Sequence, residues 1–179
     1  MGISPVFVSL LRIGLRNYIQ NMEFAQFYFT LTGHYWSKFK KYAQFNKTVF
    51  NALASFRYAS FSGIADFSEV DFKKEAVFEG TKFFDRSFFN GTIFNHGANI
   101  IRAQFEKSSD FSEVKFFEDS SFCEYNFSSK VSFINNEIAG IIDFSNLSFN
   151  KKSMFYFINP QVRSSKGKKV IIKFKHVEF

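Results

Sequence analysis

An all-β parallel solenoid, a β-helix, is the fold class this sequence predicts, and three observations predict it. Phenylalanine recurs along most of the chain at steps that alternate between six and five residues. A small residue stands two positions before nearly every one of those phenylalanines. The residues between them are rich in Ser, Thr, Asn and Gly, which oppose helix and favour turns.

The first observation is the strongest. Stepping from Phe39 gives Phe45, Phe50, Phe56, Phe61, Phe67, Phe72, Phe78, Phe83, Phe89 and Phe94. It continues through Ile100, Phe105, Phe111, Phe116, Phe122, Phe127, Phe133, Ile138, Phe144, Phe149 and Phe155. Of these 22 positions 20 are Phe, in a chain of 179 residues with 30 Phe, so the spacing is not a product of composition. Internal periodicity of this kind marks a repeat architecture. Two residues before each position, 18 of 22 are Ala, Ser, Thr or Val; the exceptions are Tyr125, Asn136, Ile142 and Leu147.

Residues i−2 and i share a face of an extended chain, so the small side chain and the Phe point inward together. A helix cannot do this: at 100° per residue, steps of five and six scatter the phenylalanines around the axis. An 11-residue coiled coil would instead need apolar positions three and four apart. The remaining solution is a coil of short extended pieces and turns, stacked so that Phe lies on Phe and each coil buries what it cannot bury alone. Four pieces per coil place residues 37–157 in between five and six coils, roughly 26 Å long at the usual strand spacing.

Several units read Ala/Ser-Asp/Asn-Phe/Ile: Ala65-Asp66-Phe67-Ser68-Glu69, Ser109-Asp110-Phe111-Ser112-Glu113 and Ala98-Asn99-Ile100. In these the chain resembles the pentapeptide-repeat proteins, in a Phe-rich variant whose units alternate between five and six residues. The resemblance covers about two thirds of the chain. It implies a right-handed quadrilateral β-helix. The sixth residue in alternate units departs from the family pattern and predicts a bulged corner in each pair. The bulk of Tyr125, Ile142 and Leu147 predicts a wider or distorted C-terminal end.

Three segments follow: a helical cap region over 1–36, the solenoid over 37–157, and a basic segment over 158–179 in which residues 170–179 can add a capping strand. Residues 5–22 read as an amphipathic helix, with Ser4 as N-cap, Pro5 as first helical residue, and Phe7, Leu11, Leu15, Tyr18 and Met22 near one face. Such a helix can cap the first coil, or lie on a membrane surface or a partner. The formal charge of +7 belongs to the ends: residues 1–42 carry +4 and 161–179 carry +5, while 43–160 carry −2. Terminal lysines can protect an open strand edge or contact acidic lipid or nucleic acid.

Chemistry-bearing motifs are scarce. His34, His96 and His176 have no metal-ligand spacing, and no Gly-rich phosphate loop occurs. Cys123 is the single cysteine, which excludes an intrachain disulfide framework and is compatible with a reducing, cytoplasmic setting. No run of about 18 apolar residues is present, so no membrane-spanning helix is expected. Met1 to Leu15 has no basic leading region and is interrupted by Arg12, so no secretory signal is read there. No catalytic, cofactor-binding or metal-binding residue, no cofactor and no small-molecule substrate are expected.

The expected function is a non-catalytic protein-interaction or scaffolding solenoid, with an unidentified protein partner or a second copy docking at a solenoid end. Phe84, Phe88 and Phe117 adjoin core positions and are predicted to lie on outer faces or corners, where aromatics anchor interfaces. The family also contains members that resemble a DNA duplex in shape and negative charge and bind type II topoisomerases. That alternative needs a strongly acidic surface, which a body charge of −2 does not supply. A membrane-associated structural module is the other alternative; nucleic acid is not expected as a partner.

Overall fold

Each small-x-Phe piece folds as a strand of two residues at the start of the solenoid and up to five near its end, and the strands stack in parallel, coil on coil. The structure, a computed structural model, describes residues 38–163 and 169–177; the helix expected over 5–22 lies outside the described residues. The result is a parallel β-solenoid of four faces with residues i and i+22 paired, as in Phe61 with Phe83 and Phe94 with Phe116. Face 1 carries Lys38–Phe39, Ser60–Phe61, Lys82–Phe83 and Gln104–Phe105. Face 2 runs from Ala43–Gln44 to Met154–Ile158, face 3 from Val49–Phe50 to Gln161–Val162, and face 4 from Ala54–Ser55 to Ile171–Lys173.

The core is a set of phenylalanine columns. On face 1, Phe39, Phe61, Phe83 and Phe105 stack with ring centroids 4.5, 5.0 and 4.7 Å apart. On face 2, Phe45, Phe67, Phe89, Phe111 and Phe133 do the same at 4.7, 5.0, 4.6 and 4.9 Å. These rings are offset by one strand spacing, so each covers the apolar face of the next. Rings from faces 2 and 4 also meet edge-to-face across the axis: Phe56 touches Phe45 at 5.4 Å and Phe67 at 5.1 Å. Faces 2 and 4 are the two reached by six-residue steps, so the longer corners lie diagonally opposite one another.

The two step lengths make different corners. In the five-residue steps the core residue's carbonyl accepts a bond from the N–H three residues on, as in Thr48 N–H to Phe45 O (3.1 Å) and Ala59 N–H to Phe56 O (2.9 Å). The residue between, two after the core position, has positive φ: Lys47, Tyr58, Glu69, Gly80, Gly91, Arg102, Glu113, Glu124, Asn135 and Asn146. This is the left-handed third residue that type II turns require. Eight of these ten are not Gly, so composition alone did not reveal the position. The six-residue corners are mostly bends, as at 62–63, 73–74, 84–85 and 106–107.

Buried hydroxyls follow the same geometry. Thr81 and Thr92 donate to the carbonyls of Phe56 (2.8 Å) and Phe67 (2.7 Å), each 25 residues back. Asn136 does likewise, donating from Nδ2 to Phe111 O at 2.6 Å, but its Oδ1 is buried with no hydrogen-bond partner. Asn136→Thr keeps the donor and removes that orphan acceptor, so unfolding stability is expected to rise by ~1 kcal/mol in a urea titration. A fall in stability would mean that Oδ1 is satisfied in solution.

The C-terminal coil departs from the series in two ways. Ile142 and Leu147 occupy small-residue seats and are buried; next to Ile142, Phe122 and Phe144 are tilted 33° rather than stacked. The face 1 ladder breaks after Gln104–Phe105 and resumes as the pair Tyr125–Phe127 with Leu147–Phe149; the side chain of Tyr125 lies outside the described residues. Second, the corner after Phe149 holds two extra residues, closed by Ser153 N–H to Asn150 O at 2.8 Å. The pairing therefore shifts, and Phe155 sits beside Val131 in the small-residue seat while Phe157 takes the seat over Phe133. The assignment of Phe155 to the phenylalanine column is thus corrected to Phe157. From there a five-residue step with left-handed Asn159 reaches Val162, paired with Ile138. Stacking runs on past residue 157: Ile171–Lys173 pairs with Ile141–Asp143, and Phe174 stacks on Phe144 at 5.1 Å.

Candidate interaction surface

The outer wall is built from the residues flanking each core position, because alternation sends them outward. Phe84 follows Phe83, whose ring is fully buried between Phe61 and Phe105. The register is therefore fixed at Phe83, and Phe84 projects from the corner between faces 1 and 2 with 47% of its surface exposed. Its N–H bonds to Phe61 O at 2.9 Å, which ties the corner to the coil below. Phe88 is the outward residue of the strand Ser87–Phe88 on face 2, paired with Asp66 and Asp110 in the neighbouring coils. It is half-buried, with the Arg86 guanidinium 5.9 Å from its ring centre. Phe117 is half-buried at the corner leaving face 3, its N–H on Phe94 O at 3.1 Å. The fold thus brings Phe84 and Phe88 to one corner of one coil and sends Phe117 to the opposite side.

Other exposed apolar residues escaped the sequence reading: Tyr42, Tyr58, Met154, Ile158, Val162 and Phe174. Four of them belong to the last coil, where the register shift hid them. Tyr58 was concealed by its turn; its ring lies against Gly80 of the next coil.

Charge on the wall is segregated. Face 1 and the corner after it carry Lys38, Lys40 and Lys41 in the first coil, and Lys82 and Arg86 in the third. Lys107, Lys130, Lys151 and Lys152 continue that side, and Asp85 and Glu106 are its two acids. The rest of residues 38–163 holds seven basic and twelve acidic residues. There, charges of opposite sign neighbour each other in adjacent coils: Lys47 with Glu69 (3.8 Å), Arg102 with Glu124 (2.7 Å), Lys115 with Glu137 (4.0 Å), and Arg57 with Glu79. Exposed pairs of this kind contribute only ~0–1 kcal/mol each, but they neutralise the surface locally.

On this four-faced solenoid the family model for pentapeptide repeats (9 copies) matches residues 37–82 and 56–104. The chain is a pentapeptide-repeat protein. No curated protein and no solved structure matches it. In this pentapeptide-repeat protein the arrangement seen over the matched residues continues unchanged in register to Phe149.

Reactive groups are few along this pentapeptide-repeat wall. Among the described residues no three His, Cys, Asp or Glu side chains stand together as a metal site would require. Burial, and then the charge of Asp143, push the Cys123 thiol up, so it is held in its unreactive protonated form. Burial also pushes the Asp143 carboxyl up, but bonds from the Ser145 hydroxyl and N–H, with Lys173 at 3.4 Å, overcome this and hold it below the usual range. That carboxylate fastens the last strand of face 4 to the coil beneath it.

Proposed function

We propose that the chain is a non-catalytic protein-interaction solenoid, a rigid support that presents side chains to a protein partner. The observation that carries this reading is the exposed ring of Phe84, with half-buried Phe88 on the face that follows, held on a wall whose core rings are locked by stacking on both sides. Rigid aromatics of this sort supply contact area at small entropic cost and are enriched among interface anchors. Phe117, on the opposite side, offers a second contact point. The DNA-mimic reading is not supported, because lysine or arginine pairs with six of the twelve acids outside face 1 and its following corner: Glu69, Asp71, Glu79, Glu124, Glu137 and Asp143.

The test is Phe84→Ser and Phe117→Ser, each compared with wild type by thermal unfolding, by sedimentation for self-association, and by recovery of co-purifying proteins from the native organism. Folding is expected to change by ~0.5 kcal/mol or less, as for other surface substitutions. Association, with itself or a recovered partner, is expected to weaken by ~10-fold or more if either ring is an anchor. Unchanged association in both variants would remove the support for this surface.

A further inference from the structure

We propose that the side formed by face 1 and its following corner rests on an anionic lipid bilayer. It holds nine cations and two acids, against seven and twelve on the remaining surface of residues 38–163. Pairing differs as sharply as composition. Lys40, Lys41, Lys107, Lys151 and Lys152 meet no carboxylate within ion-pair distance among the described residues, whereas Lys47, Arg57, Arg102, Lys115 and Arg163 on the rest of the rod each pair with an acid one coil away. A solenoid with cations in excess on one side and acids in excess on the others is electrically two-sided, and a planar anionic surface complements the cationic side.

The kind of anion follows from the residues. Eight of the nine cations are Lys and one is Arg. Lysine acts as a hydrated point charge suited to a diffuse anionic plane, whereas planar bidentate recognition of phosphate favours Arg. The cations occupy an outer edge and a flat face instead of lining a groove. Three exposed side chains with apolar surface, Tyr42, Phe84 and Met154, project among them, in the first, third and last coils. Basic residues around protruding apolar ones are the composition that holds a protein at the headgroup boundary. Nucleic acid binding along a single strand would call for successive aromatic platforms, and Phe84 stands alone in its column among Lys40, Ser62, Glu106, Ser128 and Asn150.

The experiment is co-sedimentation of the full chain with phosphatidylcholine vesicles, with and without phosphatidylserine. Binding is expected only with phosphatidylserine and should be lost as salt rises from 0.1 M to 1 M, where the Debye length falls from ~10 to ~3 Å. Reversing Lys40, Lys41, Lys151 and Lys152 to Glu should weaken it by more than ~10-fold, each lysine near the surface contributing to the attraction. The same reversal at Lys73 and Lys74, on the corner after face 3, should change it far less. Circular dichroism establishes that each variant is folded; if the quadruple variant is not, Lys40→Glu with Lys41→Glu and Lys151→Glu with Lys152→Glu are read as separate pairs. Phosphatidylserine binding that persists in the sector variants, or that falls equally in the Lys73 and Lys74 control, overturns the proposal. So does indifference to anionic vesicles together with tight binding of a single-stranded oligonucleotide.

Discussion

Phe67→Ala is expected to lower unfolding stability by ~3–5 kcal/mol, the loss typical of a large buried ring deleted from a core that cannot collapse around the gap. Phe67 is fully buried and stacks between Phe45 and Phe89 at 4.7 and 5.0 Å. It also meets Phe56, Phe61 and Phe78 edge-to-face at 5.1, 5.8 and 5.2 Å. Five rings therefore lose a neighbour, while the strands that position them stay tied to the coils above and below. Glu106→Ala is the comparison. Glu106 is exposed and its link to the fold is a backbone bond, N–H to Phe83 O at 2.9 Å, which alanine retains. Its expected cost is ~0.5 kcal/mol or less. Urea titration of both variants decides the matter, and equal losses would refute the inward and outward assignment on which the fold rests.

Gly97→Ala is the second large effect. Gly97 has φ of +81°, where a side chain strains the backbone by ~1–2 kcal/mol. A Cβ there would also land on the carbonyl oxygen of Asp119 in the next coil, which is backbone and cannot swing aside. Overlap of that kind typically adds ~1–3 kcal/mol. The site is a local break in the ladder. At the same place in earlier coils the Ala54 and Ala76 N–H groups bond the carbonyls of Glu75 and Gly97, but the Ala98 N–H bonds the Ser120 hydroxyl at 3.0 Å. Gly80→Ala is the control. Its φ is +64°, yet lysine, glutamate and arginine hold similar values at the equivalent turn, and the obstacle is the Tyr58 ring, which can move. Thermal unfolding should show Gly97→Ala to be clearly the costlier; the reverse order would mean that the 97–119 approach is not tight in solution.

Much of this was legible because a solenoid converts one-dimensional spacing directly into three-dimensional stacking. Steps of five and six sum to 11, two such units close a coil, and the residue 22 ahead is the neighbour above. The Phe columns, the small residues beside them and the outward placement of Phe84, Phe88 and Phe117 all follow from that rule and from strand alternation. What failed was the place where the rule was interrupted. Two inserted residues after Phe149 keep an aromatic at the counted position, Phe155, yet the backbone bonds of Met154–Ile158 to Lys130–Ile134 select Phe157 instead. Pattern alone could not choose, because both residues are Phe and the choice lies in the ladder.

The sequence by itself determined the solenoid, its core and its lack of metal or nucleophile motifs, since these depend on local alternation and residue chemistry. Only the tertiary structure decided which outward residues share a side. Lys40, Lys107 and Lys151 are far apart in the chain and unremarkable one at a time. Coiling carries them to one edge of the rod, while acids such as Asp110 and Glu113 turn onto other faces. A net charge counted along the chain averages over the coil and cancels to nearly nothing between residues 43 and 160. The folded rod separates the same charges by direction, because each turn of the solenoid returns every position to its own face.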